Sequence, residues 1–293
     1  MKIKVWGARG SVPAPGPETM RYGGNTSCVE VTLADGTTLI LDAGTGIRNL
    51  GLRLPRVEQP IHILLTHLHL DHIQGLMFFA PAFRPESEII IWGPASPEAS
   101  LYDRVARYIS APLAPVEVRE LPSLVSFREA EQMEWNIGSA RIRAQAVNHR
   151  GPTLGYRIEE GDTSLCYIPD HEPGLGAPLG QLEDEWISGF DLAAGATMLI
   201  HDCQYTDKEY PNHLGWGHSP LGDALDFGHR VGAERLLLFH HDPLHSDDFL
   251  DSLAGDVAER WVAMGGRPDQ VELATERREI VIAHPGVRAT QAS

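Results

Sequence analysis

Short runs of apolar residues, some alternating with polar ones and some continuous, dominate the chain. Val29 to Leu33 and Thr38 to Asp42 read as strands joined at Asp35-Gly36, a dipeptide suited to a tight hairpin. Ile61 to Thr66 is a further strand, and its core Ile63-Leu64-Leu65 is apolar throughout. Ile73 to Phe79 reads as the start of a helix, Ile89 to Trp92 as a short strand ending at Gly93-Pro94, and Ser100 to Ile109 as a helix followed by a loop from Pro112 to Pro115. Val116 to Leu121 and Ala140 to Val147 alternate as strands do. Thr153 to Ile158 and Ser164 to Ile168 repeat the hairpin logic around Glu160-Gly161-Asp162, and the Gly- and Pro-rich residues 172–180 form a loop. Met198 to His201 and Arg235 to Phe239 are strands, while Leu221 to Val231 and Phe249 to Met264 are helices. No tandem repeat or low-complexity linker divides the chain, so residues 1–293 are expected to form one domain. A layered sheet core with outer helices is the simplest arrangement of these elements.

Composition narrows the function. At 42% hydrophobic residues the chain can bury a sizeable core. It shows neither an apolar run of membrane-spanning length nor a secretory leader, so a cytoplasmic location is expected. Cys28, Cys166 and Cys203 are widely spaced and odd in number, which suits reduced core thiols. The formal net charge of −16 and the lack of a Lys/Arg run argue against a long polyanion as partner. A small anionic substrate stays compatible, because bound metal ions dominate the field at a site.

Residues 66–72 read Thr-His-Leu-His-Leu-Asp-His, between a strand and a helix. Imidazole nitrogen and carboxylate oxygen suit zinc and other borderline divalent ions, with manganese or iron also compatible. His67 and His69 project to one side if strand geometry continues, whereas Asp71 and His72 reach a second position. One structural zinc does not need so many ligands so close together; two neighbouring metals account for them better.

This His-x-His-x-Asp-His run resembles the hallmark of the metallo-β-lactamase fold superfamily, and the resemblance extends along nearly the whole chain. Leu41-Asp42-Ala43-Gly44-Thr45-Gly46 resembles its first motif, in which the Asp supports the site without ligating metal. Asn148-His149 resembles the third, so His149 would join His67 and His69 at the first metal position. Tyr167-Ile168-Pro169-Asp170 resembles the strand ending in the bridging carboxylate, Asp170. Leu237-Leu238-Phe239-His240 resembles the last strand, whose His240 would complete the second position with Asp71 and His72. The implied fold is an α/β four-layer αββα sandwich with two divalent ions at one edge. Alternation lets only one of Asp170 and His171, and one of His240 and His241, face the site; the family pattern selects Asp170 and His240.

The ligand set serves thioesterases, lactonases, ribonucleases and phosphodiesterases alike, so other segments must choose. Ile200-His201-Asp202-Cys203-Gln204-Tyr205 followed by Gly215-Trp216-Gly217-His218-Ser219 resembles the paired loops of ribonuclease Z and its small phosphodiesterase relatives. That implies Asp202 orienting His218 as a general acid, with Asp71 or Asp170 accepting a proton from the attacking water. The structural alternative is that His218 merely precedes a helix with Ser219 as N-cap. His149-Arg150-Gly151-Pro152-Thr153-Leu154-Gly155-Tyr156-Arg157 resembles the same branch, but residues 149–170 leave room only for a hairpin and not for a tRNA-clamping arm. A small or cyclic phosphodiester is therefore the expected substrate; a thioester or lactone hydrolase and a non-catalytic metal sensor are the alternatives. In the Gly-rich segments 7–13 and 21–27, Arg9 and Asn25 are candidate substrate contacts, with tight turns at the sheet edge as the alternative. Met77, Phe78, Phe79 and Phe83 suit a buried helix face better than a substrate mouth. His62, His229, His245 and His284 read as ordinary structural or surface residues, and His213 stays open. Family members often dimerise, so a homodimer is compatible.

Overall fold

A computed structural model describes residues 1–56 and 59–283. Six strands of the first half, β1 (Lys2–Gly7), β2 (Cys28–Thr32), β3 (Thr38–Leu41), β4 (Ile61–Leu64), β5 (Glu88–Pro94) and β6 (Leu124–Ala130), lie side by side in chain order. The second sheet holds β7 (Met133–Ile137), β8 (Ala140–Ala146), β9 (Leu154–Glu160), β10 (Thr163–Ile168), β11 (Met198–Asp202), β12 (Leu236–Phe239) and β13 (Val271–Leu273), again in order. The last strand, β14 (Glu279–Val281), returns to pair antiparallel with β1.

Side-chain alternation makes the layers. Val29, Val31, Leu39, Leu41 and Leu64 of the first sheet meet Ile142, Tyr156, Ile158, Leu165, Tyr167, Ile200, Leu237 and Phe239 of the second in one buried cluster. Ile40, Ile63, Ile89 and Ile91 face the other way, under α1 (Gly46–Arg53) and α3 (Leu101–Tyr108). Cys166, Ile168, Leu199, Leu236 and Leu238 face the helices α4 (Phe190–Ala193), α5 (Leu221–Arg230) and α6 (Asp247–Ala263). The result is the expected αββα sandwich. All three cysteines are free and buried. Among the described residues, no helix is long and apolar enough to cross a membrane.

Three expectations need correction. The segment 73–79 is no continuous helix: a short α2 (Leu70–Ile73) gives way to single 3-10 turns at Leu76–Phe78 and Ala80–Phe83. Gly75 packs so closely on the Gly44 carbonyl that no side chain fits there, and its N–H donates to the Ala43 carbonyl rather than back along the helix. Phe79 is buried, but Phe78 and Phe83 are exposed, so they form no buried helix face. Residues 116–121 alternate yet form a 3-10 turn at Val118–Glu120, where the Glu120 carboxylate accepts the Glu117 N–H.

Strands β3 to β6 run parallel, as do β10 to β13. β8 runs in the same direction as β10, since both are antiparallel to β9. The carboxyl ends of β3, β4, β8, β10, β11 and β12 therefore lead into Asp42, Thr66–His72, His149, Asp170, Asp202–Gln204 and His240. This placement beyond strand carboxyl ends is the usual location of ligand sites in parallel α/β sheets.

Candidate metal centre

Two groups of ligand-type atoms converge at that rim around Asp170, and a third, of Asp202, His218 and His240, stands beside them. His67, His69, His149 and Asp170 form one; Asp71, His72, Asp170 and His240 form the other, and within each the ligand atoms lie within 4.8 Å of one another. Asp170 belongs to both. Its Oδ2 lies 3.7 Å from His67 Nε2 and 3.6 Å from His149 Nε2, while Oδ1 lies 3.0 Å from His72 Nε2 and 3.3 Å from His240 Nε2.

The histidine rings are fixed from behind. His72 Nδ1–H donates to Asp42 Oδ2 at 2.8 Å, His240 Nδ1–H to Gln204 Oε1 at 2.9 Å, and His149 Nδ1–H to the Gly217 carbonyl at 2.7 Å. Thr66 Oγ1 donates to Asp42 and can thus accept His67 Nδ1–H at 3.1 Å. Each tie leaves Nε2 as a lone pair aimed into the site. His72 Nε2 and His240 Nε2 then face each other at 3.3 Å, with Asp71 Oδ2 3.3 Å from the first and 3.2 Å from the second. So many acceptors together need cations or protons between them. His67 Nε2 and Asp170 Oδ1 are buried without a hydrogen-bond partner, which fits cations as the missing partners.

Electrostatics points the same way. Burial, then the charge of His72, hold His67 well below its ordinary pKa, which keeps it unprotonated for ligation. Burial also lowers His72, but the carboxylates of Asp170, Asp71 and Asp42 outweigh it and carry its pKa well above the ordinary value. Asp170 is pushed up by burial, yet His240, His72 and His67 hold it well below the usual carboxylate range. The backbone is strained here too: Ser11 (φ 59°), Asp42 (φ 58°) and His240 (φ 63°) are three of the five non-glycine residues with positive φ among those described. Asp42 accepts hydrogen bonds from the Thr66 N–H, the Thr66 and Tyr167 hydroxyls and His72, and Ser11 N–H donates to Asp71 Oδ2.

His218 stands beside this cluster. Its Nδ1–H donates to Asp202 Oδ2 at 2.7 Å, and its ring stacks 5.0 Å from that of His240. Asp202 is fully buried and also accepts the N–H groups of His171 and Gln204. Burial lowers the His218 pKa, with Asp170 and Asp71 opposing. Ser219 does not cap α5: its hydroxyl donates to the His171 carbonyl, and Pro220 occupies the N-cap position.

Arg9 and Asn25 are both tied into the scaffold, and the burial of Arg9 corrects its assignment as a substrate contact. Arg9 is buried, with its guanidinium donating to the carbonyls of Gly23, Asp242 and His245 beside Asp247, so nothing of it reaches the cleft. Asn25 gives its N–H and its side-chain amide to Glu276. His171 turns to His201 and His241 to the Ala274 carbonyl, both away from the two groups. His213 stacks on Tyr205, His62 accepts from the Trp92 indole, His229 packs edge-on to Trp261 and His245 meets Glu209. His284 lies outside the described residues. Sequence reasoning missed Thr66, Gln204, Glu172 and Gly217. Of these, Thr66, Gln204 and Glu172 carried a signal, as polar residues beside candidate site residues.

Residues 37–241 match the family described as the β-lactamase superfamily domain. A protein named ribonuclease Z from Mycobacterium sp. (strain KMS) is 25% identical over 306 residues, covering 94% of each chain. The solved structure of human tRNase Z, short form, aligns with a TM-score of 0.67 at 21% identity, over 97% of this chain and 100% of that one. A diphosphatase from the PhnP family aligns with a TM-score of 0.68 at 17% identity, over 96% of this chain and 98% of that one. Together with the two-sheet sandwich and the His/Asp clusters at its rim, these likenesses settle the family: the chain belongs to the β-lactamase superfamily, as a metallo-hydrolase with the metallo-β-lactamase fold.

Proposed function

We propose that this protein is a dinuclear metal-dependent phosphodiesterase acting on a small or cyclic phosphodiester. One observation carries the reading: two ligand groups share Asp170, with a carboxylate-held histidine, His218, directly alongside. His67, His69, His149 and Asp170 would hold one ion; Asp71, His72, His240 and Asp170 would hold the other. Nitrogen and oxygen donors make zinc the default, with manganese or iron compatible. Such a pair supplies positive charge for phosphate oxygens and draws the pKa of water toward neutrality.

The chain's own groups do the rest. Asp71 and Asp170 stay ionised, and one of the two accepts the proton of the attacking water. Asp202 holds the His218 ring by Nδ1, so that Nε2 carries the proton given to the departing alkoxide. Burial makes imidazolium at His218 a stronger acid, and Asp170 and Asp71 limit the loss of the charged form. A thiolate leaves readily without such a donor, so His218 favours phosphoryl over thioester chemistry.

RNA cleavage is the second reading, favoured by the name of the curated relatives, ribonuclease Z. It runs against the expectation that long nucleic acid is not the partner. The net charge of −16 opposes it, as does the tight turn joining β9 to β10, which leaves no arm between His149 and Asp170. Elemental analysis joined to a panel of bis-aryl phosphate, cyclic nucleotides, a 3′-extended tRNA precursor, a thioester and a lactone tests both. Metal-dependent turnover of the small diesters is expected; turnover confined to the precursor, or to the thioester or lactone, would overturn the proposal.

A further inference from the structure

Glu172 lies two residues past Asp170 and is 1% exposed, yet no lysine, arginine or histidine pairs with it among the described residues. Hydrogen-bond donors compensate its carboxylate instead. Oε1 accepts the Tyr210 hydroxyl at 2.7 Å and the Gly215 N–H at 2.9 Å, and Oε2 accepts the Gly217 N–H at 2.8 Å. Its own N–H donates to the Asn148 carbonyl at 2.9 Å. One residue thus ties together the loop after β10, the loop that carries His149 and the loop that carries His218.

The 215–217 loop is neither helix nor strand, so its polar backbone groups need outside partners. Its N–H groups at 215 and 217 go to Glu172. Its carbonyls at the same two positions accept from Arg150 Nε at 3.0 Å and from His149 Nδ1–H at 2.7 Å. Gly217 has φ 93°, and a Cβ there would collide with His149 Nδ1, so glycine is required twice over. The loop is gripped between a buried carboxylate and the ring of a ligand-type histidine, and His218 follows it directly.

We propose that Glu172 is a positioning residue that couples His149 to His218 through the Gly217 backbone. By holding Gly217 in place it fixes the carbonyl that sets the His149 tautomer, and it fixes where His218 stands. A carboxylate is needed because all three partners are donors: glutamine turns an amide N–H₂ toward at least one of them. The coupling to His218 chemistry rests on the phosphodiesterase reading; the coupling to His149 does not.

The test uses the full chain loaded with Zn²⁺ and the variants Glu172→Gln, Gly217→Ala and Tyr210→Phe. Chelator competition measures the affinity of each ion, assigned by comparison with His149→Ala and His240→Ala. Hydrogen exchange reports the amides of 215 and 217, and kcat and KM are read on bis-aryl phosphate. Glu172→Gln is expected to weaken the ion at His149 by about tenfold or more while leaving the ion at His240 in place. The two amides should lose protection, and kcat should fall with little change in KM. Gly217→Ala disturbs the same peptide without touching the carboxylate, and should give the same selective loss. Tyr210→Phe keeps both amide bonds and should show the smallest change. Equal weakening of both ions would mean that Glu172 acts only through its charge, and would overturn the proposal. So would wild-type affinity and protection in Glu172→Gln. Should the wild-type protein hydrolyse no phosphodiester, the functional reading fails, but chelator competition and exchange still decide the role of Glu172.

Discussion

The two ligand groups share Asp170 but are built differently. Asp71, His72, Asp170 and His240 are all buried, whereas the other group includes the exposed His69 and takes His149, itself a buried ring, from a partly exposed loop. His72 is backed by the Asp42 carboxylate and His240 by Gln204, and both Asp42 and His240 sit in strained left-handed backbone at strand ends. His149 is backed only by the Gly217 carbonyl of an irregular loop, with Gly215 and Trp216 exposed. The comparison teaches that a rigid sheet rim fixes one half of the centre. Loops tied together by side chains fix the other, where substrate must enter. A cleft of about 390 Å³ opens on that second half, lined by His67, His69, Arg104 and Arg150.

Removing what the halves share should have the largest effect. Asp170→Ala should lower hydrolysis by more than about a hundredfold, beyond the usual cost of losing a supporting partner, and reduce metal content at both positions. Loss of one ion alone would show that Asp170 serves a single half.

His218→Ala asks whether the acid can be separated from the metals. Turnover of a diester with a poor leaving group should fall by about a hundredfold, with metal content unchanged. A diester with a good leaving group should fall much less. Wild-type turnover on the poor leaving group would remove His218 from the scheme.

Asp42→Ala targets the rigid half. It strands the buried donors of Thr66, His72 and Tyr167, so unfolding free energy should drop by about 3–5 kcal/mol. The ion at His72 and His240 should weaken before that at His149, a sequence that denaturation and metal titration can both follow. The reverse order would contradict the contrast between the halves.

The smallest effect lies far from the site. Burial, then Arg128, push His62 down to about 4, and its Nδ1 accepts the Trp92 indole N–H. The unfolded chain therefore binds a proton at His62 that the folded chain refuses between about pH 6.5 and 4. The stability His62 contributes is complete above that window and is lost as pH falls through it. His62→Gln should flatten the acid limb of thermal stability there; an unchanged limb would exclude it.

Much of this was legible in the sequence because the chemistry is local. Residues 66–72 place four potential ligands on one loop, and alternation lets only one of Asp170 and His171 face the site, with the family pattern selecting Asp170. Strand runs with apolar faces pointed to a layered sheet core with outer helices, and the family resemblance implied the αββα sandwich. What stayed hidden depends on distant contacts. Arg9 looked like a substrate contact because nothing in its own segment announces the carbonyls of Asp242 and His245 that bury it. Strand β6 escaped notice because most of its side chains are at least partly exposed, and β13 and β14 because three residues carry too little pattern. The helix stops after Ile73 where the Gly75 N–H turns to the Ala43 carbonyl, remote in sequence.

Everything turns on whether the rim holds a pair of cations. Elemental analysis of the protein loaded with Zn²⁺ and freed of excess metal, during stepwise chelation, measures this directly. The account predicts two ions per chain that leave in two steps, the ion at His149 first. One ion or none in the loaded protein, or a stoichiometry unmoved by Asp170→Ala, would contradict it.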